Sequence, residues 1–219
     1  MNVVFDFLKH STLYERCVMA SVVHAIMVGK YNLLASEQSW DGINYNFQNM
    51  EGVRGVISFS EGEYICAIQN DEEYEEDIEQ QVAEILKGAS AEILDLAQEE
   101  ALQYMMVDYK GKYVPFITSA FWGDGDINYS NQSEEQLIKK SEKIIMPFLY
   151  SEDDAKKYWK NYYEMTDEQI GLAEDIYKRR ISLSGKLNLS KDEANKLKEW
   201  FGDIDECIES FQELNIYLD

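Results

Sequence analysis

The sequence is poor in the residues that staple, anchor or ligate a chain. Of its 219 residues three are cysteine, Cys17, Cys66 and Cys207. They are widely spaced and odd in number, with no C-x-x-C pair, so they read as free thiols in a reducing compartment. Two histidines, His10 and His24, leave little imidazole for catalysis or metal binding. With only two prolines the composition is globular and not that of a disordered segment. The longest uncharged run resembling a membrane span, Cys17 to Gly29, has 13 residues, against the ~20 a bilayer needs. The opening MNVVFDFLKHSTLYERC places Asp6 and Glu15 where a signal peptide is apolar. The expectation is a cytoplasmic protein without membrane association. G-x-S-x-G, P-loop, G-x-G-x-x-G and H-E-x-x-H patterns are missing as well, and each would carry a recognisable chemistry. The expectation is therefore no cofactor, no metal and no enzyme activity.

Positive charge is the other scarcity. Twenty Lys and Arg face 42 Asp and Glu, a net charge of −22. Such a surface repels phosphate backbones and anionic membranes, which excludes direct nucleic-acid binding. The deficit is uneven: residues 1–109 hold 5 bases and 20 acids, net −15, and residues 110–219 hold 15 and 22, net −7.

The hydrophobic pattern predicts α+β architecture. A helix with N-caps offered by Ser11 and Thr12 runs to about Lys30, apolar on nearly every face from Cys17 onward, and so belongs in the core. His24 within it reads as a core histidine. Three strand-like runs follow, residues 42–49, 53–59 and 64–69, in which Ile43, Tyr45 and Phe47 alternate with Asn44, Asn46 and Gln48. They predict an antiparallel meander with one polar face. Helices are expected over 72–87 and 90–107, then a fourth strand around Pro115. Beyond Ser133 the chain reads as helical, with capping boxes at Ser133/Gln136, Thr166/Gln169 and Ser190/Glu193, a further helix near 151–165 and a last one over 203–217. The predicted fold is an N-terminal helix with a three- to four-stranded antiparallel sheet, followed by a mostly helical C-terminal half. The regions are 1–130, mixed, and 131–219, helical, either as two units or as one continuous domain.

Two acidic segments stand out. Asp71, Glu72, Glu73, Glu75, Glu76, Asp77 and Glu79 put seven acids into nine positions. Tyr74, Ile78, Val82 and Ile85 thread an apolar stripe through them at helical spacing, so Glu72, Glu75, Glu76 and Glu79 are expected along one helix face. At the C-terminus Asp205, Glu206, Glu209 and Glu213 follow the last base, Lys198, on a helix whose buried stripe is Ile204, Ile208, Phe211 and Leu214. Like charges at i, i+4 cost only ~0.2–0.5 kcal/mol each, so such helices form. Carboxylates on a rigid face suit a basic partner, and electrostatic steering raises association rates. The alternative is a solvated face that serves solubility. Trp40, beside Tyr45 and several amides, reads either as an anchor for that partner or as a residue closing the core beneath the sheet.

The remaining motif runs from Asp124 to Glu135. Its oxygen-bearing side chains fall at positions 1, 3, 5, 7, 9 and 12, as in a calcium-binding EF-hand loop, but Tyr129 stands where the glycine belongs. The Asp124–Asn128 stretch is thus the alternative site, for calcium or for a small-molecule enzyme. The leading expectation is a protein-binding inhibitor. Glu72, Glu73, Glu75, Glu76, Glu79, Asp205, Glu206, Glu209, Glu213 and Trp40 would meet a basic partner, such as a nuclease neutralised by an immunity protein or a DNA-binding protein blocked by a nucleic-acid mimic.

Overall fold

Apolar residues on every face make α1 (His10–Met27) the centre of the structure. The computed structural model describes residues 3–5, 10–73, 77–124, 127–149 and 151–218. A short strand, β1 (Val3–Phe5), precedes α1, which begins just ahead of its expected caps. All twelve residues from Cys17 to Val28 are buried, each large apolar side chain contributing ~1.5–3 kcal/mol relative to exposure. A 3-10 segment, Asn32–Glu37, leads into β2 (Gln38–Asp41), β3 (Asn44–Gln48), β4 (Val53–Ser60) and β5 (Glu63–Asn70), the meander read from the sequence. Then come α2 (Ile78–Ile85), α3 (Ala91–Glu99) and a second 3-10 segment, Ala101–Met105. A small hairpin of β6 (Met106–Tyr109) and β7 (Lys112–Pro115) follows, and next a pair of strands, β8 (Ser119–Asp124) and β9 (Ile127–Ser130).

Among the described residues seven strands form one antiparallel sheet, in the order β1-β9-β8-β5-β4-β3-β2. The sheet is wider than the three to four strands expected, because the polar stretch around Asp124 pairs as a hairpin and brings β1 with it. The expected polar face is also corrected. Val53, Ile57 and Phe59 pack towards α1, while the alternate residues Val56, Ile65, Ala67, Ala120 and Trp122 pack against Ile93, Ala97 and Leu102. Both faces of the central strands are therefore covered. Asn44 is 4% exposed, its carboxamide bonded to Ser58 and to Glu100 at 2.6 and 2.7 Å.

The C-terminal half adds α4 (Glu134–Lys140), α5 (Met146–Leu149), α6 (Glu152–Tyr163), α7 (Asp167–Ile181), β10 (Leu187–Leu189), α8 (Lys191–Phe201), α9 (Asp205–Glu213) and β11 (Ile216–Leu218). All three expected capping boxes are present, with side chain and backbone satisfied reciprocally. The two short strands, absent from the sequence reading, pair in parallel with each other. One core cluster draws on both sides of residue 130, joining Leu13, Val22, Ile57 and Phe121 to Phe148, Trp159, Ile176, Leu197 and Phe211.

Candidate functional site

The first acidic segment departs from the predicted helix. Strand β5 ends at Asn70, whose Oδ1 accepts the Glu72 backbone N–H at 3.0 Å and whose amide donates to the Lys140 carbonyl at 2.9 Å. This Asx turn takes the hydrogen bonds a helix would need. Helix α2 starts only at Ile78, with the Asp77 carboxylate accepting from the Gln80 N–H at 3.1 Å. Glu72 and Glu73 therefore sit in a turn, and Glu73 pairs with Lys140 at 3.6 Å. Glu75 and Glu76 lie outside the described residues, as does the side chain of Glu79. The apolar stripe holds where it is described: Ile78 and Ile85 are buried.

The second acidic segment is helical, but over Asp205–Glu213 and not 203–217, because Asn215 takes a left-handed φ of 55° and Ile216–Leu218 pairs as β11. On α9 Ile204, Cys207, Phe211 and Leu214 face the core, with Ile208 half-buried. Asp205, Glu209 and Glu213 follow one another at i, i+4 and i+8 on the exposed side, Glu206 beside them. At 1.5 Å per residue the row is ~12 Å long. Asp205 and Glu206 occupy the first turn, where the helix dipole favours them by ~0.3–1 kcal/mol each. Among the described residues no Lys or Arg forms an ion pair with these four acids, although salt bridges occupy much of the rest of the surface.

Trp40 adjoins this row. Strand β2 lies at an edge of the sheet, and the Trp40 backbone N–H donates to Glu213 Oε2 at 2.9 Å. The carboxylate thereby covers an edge donor that would otherwise template another strand. The Trp40 indole N–H donates to Ser21 Oγ at 2.8 Å, and Ser21 Oγ donates to the Cys17 carbonyl at 2.9 Å. The ring meets Tyr14, Tyr45 and Phe59 at centroid distances of 5.6, 5.1 and 6.2 Å. Beside it opens a groove of about 290 Å³ bordered by Tyr14, Val18, Ile43 and Glu213. Tyr14 and Ile43 are each 45% exposed. Arg180 stands at the rim with its guanidinium bonded to the carbonyls of Gly185 and Leu183. The indole N–H of Trp40 is thus tied into the core, as a residue closing the core beneath the sheet would be, while its half-buried ring lines the groove.

Burial shifts the titratable groups inside the protein towards their neutral forms. His24 Nε2 faces the Ala35 carbonyl at 3.2 Å, so it carries the proton, and Nδ1 accepts from the Tyr163 hydroxyl at 3.1 Å. Burial lowers the His24 pKa to about 4. Glu37, 2% exposed, accepts from the Tyr162 hydroxyl at 2.7 and 2.8 Å, and burial pushes its pKa up. The cysteines are free, as read, and buried. Desolvation raises the thiol pKa of Cys17 and Cys66 well above the ordinary value and that of Cys207 to about 12, the opposite of what a nucleophile needs.

Asp124 ends β8 and Asn128 lies in β9, and Asp124 pairs with Ile127 between the two strands; Gly125 and Asp126 of the expected site lie outside the described residues. Asn128 Oδ1 accepts from the buried Tyr64 hydroxyl and Ser130 Oγ donates to the Ala120 carbonyl, so both spend their side chains inside the sheet. An EF-hand has a loop between helices at this point. Among the described residues no group of three or more His, Cys, Asp or Glu is placed to hold a metal ion, and no helix is long and apolar enough to cross a membrane.

Comparison of the chain with protein-family models, with curated proteins and with solved structures gives no match.

Proposed function

We propose that the protein is an acidic binding protein that inhibits or neutralises a basic partner through the outer face of α9 and the Trp40 groove beside it. The observation that carries this reading is the row Asp205–Glu206–Glu209–Glu213, with which no Lys or Arg among the described residues forms an ion pair, ending at an exposed aromatic groove. Desolvated aromatic anchors supply most of the affinity in protein interfaces. Charges at the rim supply orientation and association rate, up to ~10⁸–10⁹ M⁻¹s⁻¹ at low salt. A partner with Lys and Arg spaced to meet phosphates would find three carboxylates along ~12 Å of rigid helix, and a net charge of −22 draws it in from a distance. Partners of that kind handle nucleic acid, so the reading is an immunity protein of a nuclease or an inhibitor of a DNA-binding protein. Glu72, Glu73 and the acids after them add to the long-range field.

The test is affinity capture from native lysate at low salt, with duplex DNA as competitor. Basic proteins held at low salt and released both by raised salt and by the duplex are the expected result. Specific retention that duplex DNA leaves untouched contradicts a nucleic-acid-handling partner, and no specific retention contradicts the binding function itself.

A further inference from the structure

Where the first 3-10 segment, β3, α5 and α6 meet, the packing leaves a cavity of about 30 Å³. That is room for roughly one or two water-sized groups. Among the described residues Glu37, 2% exposed, is the one charged residue that lines it. Phe148, Tyr158, Trp159 and Tyr162 supply an aromatic wall, in which Tyr158 and Tyr162 stack with their ring centroids 5.7 Å apart. The amides around the cavity are already bonded. Gln38 Oε1 accepts from the Tyr45 hydroxyl at 2.8 Å, Gln48 Nε2 donates to the Ser36 carbonyl at 2.8 Å, and Asn49 Oδ1 accepts from the Glu51 and Val53 N–H groups at 2.9 Å. Glu37 is different. A single hydroxyl, that of Tyr162, serves both its oxygens, whereas a carboxylate accepts about four hydrogen bonds. Among the described residues no Lys or Arg pairs with it.

We propose that this cavity binds a primary alkylammonium group, its nitrogen on the Glu37 carboxylate and its first methylene against the aromatic wall. A primary ammonium is compact and carries three donors and a full positive charge, so one group supplies everything that Glu37 lacks. The aromatic rings add cation–π attraction, which is strongest where water is excluded. A guanidinium or a trimethylammonium exceeds the volume. A buried carboxylate without a cation is driven to take up a proton instead, and burial does raise the pKa of Glu37. Gln48 and Tyr162, also at the cavity, are exposed, which puts its mouth at the surface, where the rest of the ligand lies. The ammonium can come from a free amine or from a lysine side chain of a bound protein. This site shares no residue with the Trp40 groove and does not rest on the function proposed for it.

The test is an NMR titration of the full chain at constant ionic strength, read at the Trp159 indole N–H, with n-butylammonium chloride as the probe. Saturable shifts with Kd on the order of 1 mM or tighter are expected. Tetramethylammonium (the charge in too wide a group) and 1-butanol (the chain without the charge) should each bind at least about tenfold more weakly. This series needs no variant. Glu37→Gln keeps an oxygen that accepts from the Tyr162 hydroxyl but loses the charge, and it should abolish binding. Nα-acetyl-lysine amide in place of the amine identifies the source. Tighter binding points to a lysine of a bound protein, weaker binding to a free amine, and either keeps the ammonium site. Absence of saturable shifts with n-butylammonium, equal binding of tetramethylammonium or of the alcohol, or an unchanged Kd in Glu37→Gln overturns the proposal.

Discussion

Valine in place of Gly55 lowers the unfolding temperature by roughly 10 °C, a loss of ~3–5 kcal/mol. Gly55 on β4 pairs directly with Phe47 on β3. The Phe47 ring lies across it, so a Cβ at Gly55 would stand 2.3 Å from Phe47 Cζ. The ring has nowhere to go: it stacks on Tyr45 at 5.9 Å and meets Phe148 edge-on at 5.2 Å. Phe148 in turn belongs to α5 in the core beneath α1. The same device recurs at Gly123 on β8, opposite Tyr64 on β5, where a Cβ would stand 2.3 Å from Tyr64 Cε1. Gly123→Val should match the loss at Gly55. Gly171, inside α7 with nothing within 4 Å of its missing Cβ, is the control. There Gly171→Ala should raise stability by ~0.5–1 kcal/mol, since alanine loses less entropy in a helix. Thermal unfolding followed by circular dichroism measures all three, and a wild-type melting temperature in Gly55→Val would contradict the packing described.

The second large effect is a loss of stability in mild acid at His24. Its pKa falls from 6.5 to about 4 on folding because burial disfavours the imidazolium. Between those values the unfolded chain binds a proton that the folded chain refuses. Stability from this group is therefore complete above about pH 6.5 and is lost as the pH falls towards 4. At 1.36 kcal/mol per pKa unit the loss reaches ~3 kcal/mol. Glu37 works in the opposite direction. Its raised pKa means the folded state takes up a proton more readily, so it adds stability as the pH falls and offsets part of the His24 term. His24→Gln separates the two, since its amide can still donate to the Ala35 carbonyl while it cannot titrate. In urea unfolding at a series of pH values, the stability gap between wild type and His24→Gln should narrow by ~3 kcal/mol from pH 7 to pH 4. A gap independent of pH would mean that His24 is not held neutral.

Several features were legible in the sequence because one local signal decides them. The apolar residues on every face from Cys17 to Val28 placed α1 at the centre, and Ser133, Thr166 and Ser190 with their partners three residues on marked helix starts. The second buried face of the sheet was visible in principle: Ile65, Cys66, Ala67 and Ile68 are apolar without interruption, the mark of a strand covered on both sides. The polar alternation in β3 points the other way, yet Asn44 is a satisfied interior amide. The three-residue strands β1, β10 and β11 are too short to show a period. In the first acidic segment the i, i+4 spacing was carried across a helix start. Asp77 with the Gln80 N–H sets that start, and the turn made by Asn70 separates Glu72 from the helix.

The sites divide in the same way. Trp40 and the acids of α9 were each readable alone, but not their contact, which joins residues 173 apart in the chain.

The most direct measurement compares two charge reversals in the same capture experiment. Asp205, Glu206 and Glu209 changed together to Lys leave the Glu213 bond to Trp40 intact and invert the exposed face of α9. Glu72 and Glu73 changed to Lys alter the acidic turn instead. With both variants folded, the α9 reversal should weaken retention of the basic partner at least about tenfold, and the turn reversal should lower it far less. Retention by the α9 variant at the wild-type level would contradict a binding role for this helix and leave solubility as the reason for its charge.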